Sequence, residues 1–354
     1  MPHLPFVSMR GSVRSEESAD DSETAVPAGV SVGDPMPRIT LPLVSGDLFD
    51  SWAPVTLGLA MVYWLGAPPE ASVVAQLSDK LAACETLLYF VAASLPEALG
   101  GCSSWLLDRA NELGRAFGTN GPLGIVVDAG GRVAALLPTP TSDGVASLAA
   151  WLHAESTPAV VRARAPVLLL DRVIEPPLRQ TLIEHWRRSD KVADVVGSAA
   201  GNVVNDDVKR RQDVKLVDPK LFVEVRDCVV RRVVPVIAQA FHSRIMVIET
   251  PTVGCYDVAT GGWFRRHRDN TSGYSAHRQF ALSLNLNVDD EYDGGELRFP
   301  EFGRQLYRPT PGGALVFSCS LLHEVMPVTR GRRFGVFVFL SATAPSVSRR
   351  SVPS

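Results

Sequence analysis

The sequence carries a histidine–aspartate pair and a later histidine that together have the side chains of a metal site. His267 and Asp269 stand two residues apart in GGWFRRHRDN, and side chains at this spacing on a β-strand share one face. His323 follows an apolar, strand-like run. Two histidines and one carboxylate form the facial triad of non-haem Fe(II) sites, which leaves coordination positions open. A His-x-Asp pair alone is more often a polar strand edge, so the prediction depends on all three residues.

A basic turn follows His323 and leads into another apolar strand, FGVFVFL. It contains Arg330, Arg332 and Arg333. A guanidinium held inside an apolar barrel needs an anion, because an unpaired charge is costly to bury. A dicarboxylate co-substrate would supply that anion at Arg333. The alternative at this point is that the three arginines form a solvated turn.

Several short motifs follow one another in a fixed order through the same region. They are Tyr256, Gly261-Gly262, His267-Arg268-Asp269, Arg278, Leu284 to Asn287, Gly294-Gly295-Glu296, Pro309 to Phe317, His323, Pro327, Val328, Gly331 and Arg333. This order resembles the prolyl 4-hydroxylase-like branch of the Fe(II)- and 2-oxoglutarate-dependent dioxygenases, over about Pro166 to Ala342. The resemblance implies a mainly β, double-stranded β-helix (jelly roll) domain preceded by helices.

The resemblance also implies cofactors and roles for individual residues. His267, Asp269 and His323 would hold Fe(II), and Arg333 would pair with the distal carboxylate of 2-oxoglutarate. Tyr256 would line the co-substrate pocket. Dioxygen and 2-oxoglutarate would be co-substrates, and ascorbate is a further candidate cofactor.

Strand 280–287 contributes two further pocket candidates. Apolar residues alternate along it with small or polar ones, and Ser283 and Asn285 belong to the second set. One face of this strand could therefore line the pocket, while a half-solvated strand is the alternative. Before it, the spacing predicts helices over Leu178–Arg188 and Pro219–Phe241, with a charged loop between them.

The N-terminal region alternates apolar runs with segments of helical spacing. This order predicts an α/β sandwich. The predicted elements are a strand over Leu57–Leu65, a helix over Ala71–Ala83, a strand over Thr86–Ala93, a helix over Ser104–Phe117, a hairpin over Leu123–Leu137 and a helix over Val145–His153.

Motifs of this region resemble peroxiredoxins and related thioredoxin-fold proteins. They are GDPMP from Gly33 and IVVDAGGRV from Ile125. In that family the reactive cysteine follows the strand matched here by Leu57–Leu65, but this chain has GAPPE there, without sulfur. A thiolate is the nucleophile that attacks peroxide, and Cys84 comes later, in the next predicted helix. The resemblance therefore implies a non-catalytic, thioredoxin-like domain that docks a partner or self-associates.

Composition and charge set limits on partners and location. The formal net charge of −3 gives no reason to expect nucleic acid or an anionic membrane. The apolar run Leu57–Leu65 is shorter than the roughly 20 residues of a membrane span. Five cysteines without a C-x-x-C pair form neither a disulfide nor a zinc framework, which predicts a reducing cytoplasm.

These observations predict two domains between disordered tails. The predicted segments are a tail at 1–30, a thioredoxin/peroxiredoxin-like domain at 31–160, an Fe(II)/2-oxoglutarate dioxygenase domain at 161–343 and a tail at 344–354. The predicted enzyme hydroxylates a protein prolyl or amino-acid residue, or a small molecule, and forms succinate and CO2.

Three alternatives stand beside this prediction. They are a thiol or peroxide redox protein, a metal-bearing interaction protein without catalysis, and a barrel oxygenase that does not use 2-oxoglutarate. The missing cysteine argues against the first. The complete set of His267, Asp269, His323 and Arg333 argues against the second, and Arg333 alone argues against the third.

Overall fold

The computed structural model describes most of the chain between Gly29 and Ala342. The described residues are 29–53, 56, 58–94, 104–154, 164–193, 196–198, 201–203 and 209–342. The predicted tails at 1–30 and 344–354 lie outside them except for Gly29 and Val30, as does the predicted boundary at 160/161. Val30 is buried, and its N–H donates to the carbonyl of Ala116 at 2.9 Å, so the folded part begins before residue 31. No described helix has the length and apolarity needed to cross a membrane.

The N-terminal part is built around one mixed sheet. Its elements are β1 Thr40–Pro42, β2 Leu48–Asp50, β3 Ala60–Leu65, α1 Ala71–Ala83, β4 Thr86–Ala92, β5 Trp105–Leu107, α2 Glu112–Ala116, β6 Leu123–Val127, β7 Val133–Leu137 and α3 Ser142–Ala154. The sheet order is β5-β4-β3-β6-β7, in which β3, β4 and β5 are parallel while β6 and β7 are antiparallel to their neighbours. Apolar clusters cover both faces of this sheet. The thioredoxin-like relationship of this part stays a prediction.

The helix predicted over Ser104–Phe117 was wrong in its first half. Trp105 and Leu106 are buried in β5, which pairs with β4, so tertiary pairing overrides the local helical spacing. The helix starts later because Asp108 accepts hydrogen bonds from the backbone N–H groups of Glu112 (2.7 Å) and Leu113 (2.9 Å). Those N–H groups at a helix start otherwise have no partner.

The C-terminal part is mainly β, with helices before most of its strands, as predicted. Its elements are β8 Leu168–Leu170, α4 Pro176–Arg188, β9 Val192–Ala193, β10 Val196–Ser198, β11 Gly201–Val203, β12 Lys209–Arg210, β13 Gln212–Lys215, α5 Pro219–Arg232, α6 Val234–Phe241, β14 Val247–Ile248, β15 Thr252–Asp257, β16 Trp263–His267, β17 Phe280–Asn285, β18 Tyr292–Gly294, β19 Leu297–Arg298, β20 Leu306–Tyr307, β21 Ala314–Ser318, β22 His323–Val325 and β23 Val328–Ser341.

Two sheets face each other in this part and enclose an apolar layer. The larger runs β8-β21-β17-β23-β15-β13-β9, and the smaller runs β12-β16-β22-β19-β20. Residues such as Phe317 and Phe337 of the larger sheet meet Phe299 and Val325 from the side of the smaller one. Helices α4, α5 and α6 cover the other face of the larger sheet. The functional candidates lie between the two sheets.

The helix predicted over Pro219–Phe241 is divided at Val233. Helix α5 ends at Arg232, and α6 begins at Val234. Pro235 has no backbone N–H to continue the hydrogen-bond ladder of α5, and its ring obstructs the preceding turn. The division places the end of α5 against the N-terminal part.

A buried ion pair joins the two parts of the chain. The Arg232 Nε donates to Asp34 Oδ1 at 2.8 Å, and both side chains are about 95% buried. The other guanidinium nitrogens donate to Ser31 Oγ (3.2 Å), the carbonyl of Val173 (3.1 Å) and Glu175 (2.9 Å). Burial by itself raises the pKa of Asp34, but the bond from Arg232 holds it below its ordinary value.

Removing Arg232 should therefore destabilise the whole protein. Arg232→Met leaves the buried Asp34 carboxylate with Arg231 and Ser31 as partners. Breaking a buried pair costs about 3–5 kcal/mol, and the retained Arg231 places the expected loss at the lower end of that range. The measurement is the free energy of unfolding from equilibrium urea denaturation. Arg38→Met is the matched control, because Arg38 pairs with Asp50 at 2.6 Å on the surface and such pairs contribute little. Equal effects of the two substitutions would contradict the proposed importance of burial.

Candidate active site

The pairing of β16 with β22 brings the two predicted histidines together. In this antiparallel ladder His267 lies opposite His323, with a register irregularity between Phe264 and His267. Asp269 follows β16, and its backbone N–H donates to the carbonyl of Cys319 at 3.0 Å. The structure thus gathers His267, Asp269 and His323 at one place.

Hydrogen bonds set the tautomers of both rings. The Nδ1 of His267 lies 2.7 Å from the carbonyl oxygen of Arg265, and the Nδ1 of His323 lies 3.0 Å from that of Leu321. A carbonyl can only accept, so each Nδ1 carries the proton when the ring is neutral. Each Nε2 then has a lone pair available for a metal.

The ligand atoms converge as a metal site requires. The Nε2 of His267 lies 3.3 Å from Asp269 Oδ1, and the Nε2 of His323 lies 3.6 Å from Asp269 Oδ2. All three ligand atoms lie within 4.8 Å of one another. Lone pairs this close repel unless a proton or a cation lies between them, and the donor set of two imidazoles and one carboxylate fits Fe(II).

Protonation states at neutral pH also suit a metal. Burial by itself raises the pKa of Asp269, but His323 and His267 beside it lower that pKa to about 2. Burial lowers the pKa of His323 to about 4, although Asp269 opposes the shift. Near pH 7 the carboxylate is therefore ionised and the imidazole neutral, which are the forms that bind metal.

The triad opens into a cavity of about 360 Å³ between the sheets. Tyr256, Ser283 and Phe337 are among its lining residues. Phe264 stacks on His267 with ring centroids 3.6 Å apart, so one side of the triad is apolar. A cavity of this size lies at the small end of ligand sites.

The buried end of Arg333 reaches the residues that line this cavity. Arg333 is 2% exposed, its Nη2 donates to Ser283 Oγ at 3.1 Å, and its Cζ lies 5.4 Å from the Tyr256 ring centroid. Its Nη1 is buried and has no hydrogen-bond partner within the described part of the chain. Its neighbour Arg332 is exposed and pairs with Asp257 at 2.6 Å. The strand thus buries Arg333 and leaves Arg332 at the surface.

Gly295, in the Gly-Gly-Glu motif, makes room for this arginine. Its φ is +72°, in a backbone region that favours glycine. A Cβ at this position would lie 2.9 Å from Cδ of Arg333. The motif therefore fixes the path of the guanidinium.

The remaining predicted pocket residues separate into two groups. Tyr256 and Ser283 line the cavity, and Tyr256 is 1% exposed. Asn285 is not among the described lining residues. It is buried, and its Nδ2 donates to the carbonyl of Pro309 at 3.0 Å, which gives it a role in holding a loop.

One wall of the cavity was not predicted from the sequence. The charged residues of the segment 209–215, which comprises β12, β13 and the residue between them, line the cavity, although the sequence placed this segment in a charged loop. They are Lys209, Arg211, Asp213 and Lys215. The signal was present as charged residues at alternating positions. Charge in a short strand is ordinarily solvated, so alternation alone did not indicate a buried wall.

Comparison with known families agrees with this geometry. Residues 251–341 match the family model described as the 2OG-Fe(II) oxygenase superfamily. The matched segment contains the triad, Tyr256 and Arg333. Residues 251–341 are therefore of the 2OG-Fe(II) oxygenase type.

Curated relatives match the same domain over a limited length. A PKHD-type hydroxylase of Teredinibacter turnerae is 32% identical over 111 residues, which are 30% of this chain and 48% of that protein. One of Paraburkholderia phymatum is 35% identical over 82 residues, which are 23% of this chain and 36% of that protein. The chain thus spans about half or less of the length of these relatives.

Solved structures of prolyl hydroxylases also align with this chain. A Pseudomonas putida prolyl-4-hydroxylase is 17% identical with a TM-score of 0.40, covering 51% of this chain and 94% of that one. A viral collagen prolyl hydroxylase from Paramecium Bursaria Chlorella virus-1, in a 2OG complex, is 16% identical with a TM-score of 0.39, covering 50% and 96%.

Loss of one triad residue should abolish metal binding without unfolding the chain. His267→Ala removes one of three ligands, and we expect Fe(II) affinity to fall by more than the ~10–100-fold typical of residues that only support a ligand. Anaerobic titration calorimetry with Fe(II) measures this. His242→Asn is the control, since His242 is exposed, has φ of +48°, and asparagine tolerates that backbone. Unchanged Fe(II) affinity in His267→Ala would contradict the triad.

Proposed function

We propose that this protein is an Fe(II)- and 2-oxoglutarate-dependent oxygenase that hydroxylates a substrate and releases succinate and CO2. The observation that carries the proposal is the buried Nη1 of Arg333, which has no hydrogen-bond partner in the described part of the chain. Ser283 and Tyr256, which Arg333 contacts, line the cavity that holds the triad. A buried donor without a partner is costly, and more so when it is charged. A carboxylate entering this cavity would remove that cost.

The residues divide the binding of 2-oxoglutarate between two ends of the cavity. The fork of Arg333 suits a carboxylate, because its parallel N–H groups match two carboxylate oxygens. Ser283 holds the other side of the guanidinium and so orients it. The triad residues would hold Fe(II), whose open positions suit the opposite end of the co-substrate.

Bound Fe(II) would supply dioxygen activation, coupled to oxidative decarboxylation of 2-oxoglutarate. One oxygen atom enters succinate and the other enters a substrate C–H bond as hydroxyl, so the atoms balance. The chain contributes two imidazoles, an ionised Asp269 and apolar walls from Phe264, Phe317 and Val325 that limit water. Prolyl residues in proteins, amino acids and small molecules are the substrate classes proposed.

For the N-terminal part we propose a binding or docking role without peroxide chemistry. A cleft lies at the ends of β3 and β4, where Leu65 is followed by Gly66. The described residues that line it include Asp108 and Asn111 but no cysteine or histidine. Use of ascorbate and a reducing cytoplasmic location stay predictions, and the cysteines among the described residues are all free.

Untargeted product analysis tests the proposed function directly. The protein is incubated with Fe(II), 2-oxoglutarate and cell extract, and mass spectrometry searches for molecules that gain one oxygen atom. Succinate release should accompany each product and disappear in His267→Ala. Products that form without 2-oxoglutarate would favour the oxygenase that does not use it.

Arg333 should control 2-oxoglutarate affinity, while Arg332 should not. Truncating one side of a buried charge pair costs ~2–5 kcal/mol, so Arg333→Leu should weaken 2-oxoglutarate binding by about 30-fold or more. Arg333→Lys should restore part of it, because the charge returns without the fork. Calorimetric titration under anaerobic conditions measures each dissociation constant.

Arg332→Leu is the matched control, because this exposed arginine pairs with Asp257 on the other face of the strand. It should bind 2-oxoglutarate like the unaltered protein. Equal losses in Arg332→Leu and Arg333→Leu, or none in either, would remove the basis for the anion site.

A further inference from the structure

Arg211, in the cavity wall that the sequence did not reveal, touches the hydroxyl of Tyr256. Its Nη1 lies 3.3 Å from Tyr256 Oη, and both residues line the cavity. The contact joins the segment between β12 and β13 to β15. The resemblance to the oxygenase family implied no role for Arg211.

The arginine is held in a fixed orientation. Its Nε and Nη2 donate to the two carboxylate oxygens of Asp213 at 2.6 and 2.7 Å. Its Cζ lies 4.0 Å from the ring centroid of Phe337, so the guanidinium also stacks on an aromatic face. A bidentate, stacked arginine loses little further freedom when it makes another hydrogen bond.

The chemistry of this pair determines the direction of the tyrosine hydroxyl. A guanidinium has donors and no acceptor, so Arg211 must donate and Tyr256 Oη must accept. The Tyr256 O–H is then available to donate elsewhere. Within the described residues no hydrogen bond from Tyr256 Oη to an acceptor is present, although Tyr256 is 1% exposed and buried hydroxyls ordinarily have an acceptor.

An anion bound to Arg333 would supply the acceptor that Tyr256 Oη lacks among the described residues. Tyr256 and Arg333 are register partners on β15 and β23, and the Cζ of Arg333 lies 5.4 Å from the Tyr256 ring centroid. A carboxylate at the open Nη1 of Arg333 would therefore be a neighbour of Tyr256. Both groups would donate to the same co-substrate.

We propose that Arg211 is a positioning residue for 2-oxoglutarate. Arg211 donates a hydrogen bond to Tyr256 Oη, and the proton of that hydroxyl is thereby directed to the co-substrate. The inference rests on the proposed function. Asp213 and Phe337 hold Arg211, Arg211 orients the hydroxyl of Tyr256, and Tyr256 together with Arg333 binds the co-substrate.

A double-mutant cycle tests whether Arg211 acts through Tyr256. Dissociation constants of 2-oxoglutarate are measured by anaerobic calorimetry on full-length, Mn(II)-loaded protein. Tyr256→Phe and Arg211→Met should each weaken binding by about 10-fold, the size expected for one hydrogen bond to a charged group. The double variant should bind 2-oxoglutarate no more weakly than the single variant with the lower affinity, because both substitutions remove the same hydrogen bond to the co-substrate. A double variant whose loss is the product of the two, roughly 100-fold, would overturn the proposal.

Two further variants separate donor direction from simple packing. Arg211→Lys also carries only donors and should bind 2-oxoglutarate more tightly than Arg211→Met. Arg211→Gln offers a carbonyl oxygen that can capture the Tyr256 proton, so it should bind no better than Arg211→Met. Glutamine binding as well as arginine would show that hydroxyl direction is unimportant and would overturn the proposal.

The unaltered protein and Arg333→Leu distinguish this proposal from the proposed function. If the unaltered protein binds 2-oxoglutarate and Arg333→Leu binds it about 30-fold more weakly or worse, the co-substrate site stands and the cycle alone decides the role of Arg211. If the unaltered protein does not bind 2-oxoglutarate, both proposals fail. Thermal unfolding of each variant confirms that affinity is compared among folded proteins.

Discussion

The antiparallel register between β16 and β22 is the constraint on which the site depends. It places His267 opposite His323. The hydrogen bond from the backbone N–H of Asp269 to the carbonyl of Cys319 holds the Asp269 carboxylate beside the two rings. The three ligand atoms, each of which carries a lone pair, are thereby held closer together than free side chains in water would be. The fold stabilises that arrangement through the ladder, the ring hydrogen bonds to backbone carbonyls and the stacked Phe264.

The long strand β23 organises the other end of the cavity. It pairs with β15 and β17 at once, so Tyr256 and Ser283 become lateral neighbours of Arg333 and Phe337. Alternation along the strand buries Arg333 and exposes Arg332. One backbone register therefore decides which of two adjacent arginines is buried against the cavity-lining residues Ser283 and Tyr256, and the same register places Phe337 beneath Arg211.

Local patterns in the sequence were sufficient where spacing within one element carried the information. His267 and Asp269 are two residues apart, and Arg333 lies at a fixed offset from His323, so both could be proposed without the fold. The strand expected to carry the pair ends at His267, and Asp269 lies in the turn that follows. Pairing between distant segments could not. The burial of Trp105 in β5 and the cavity wall containing Arg211 depend on partners far along the chain. Asn285 shows the same limit, because its alternation suited the pocket while Pro309, in another loop, binds its amide.

The contacts of Arg232 bear on how independent the C-terminal domain is as a module. Its guanidinium is divided between Asp34 and Ser31 on one side and Val173 and Glu175 on the other. A gene fragment that encoded only the C-terminal domain would leave this arginine with half of its partners and expose the end of α5. Exchange of the N-terminal part for another sequence would have to supply a new carboxylate at the same place. The ion pair therefore makes the stability of each part depend on the presence of the other, even though their apolar cores share no residue.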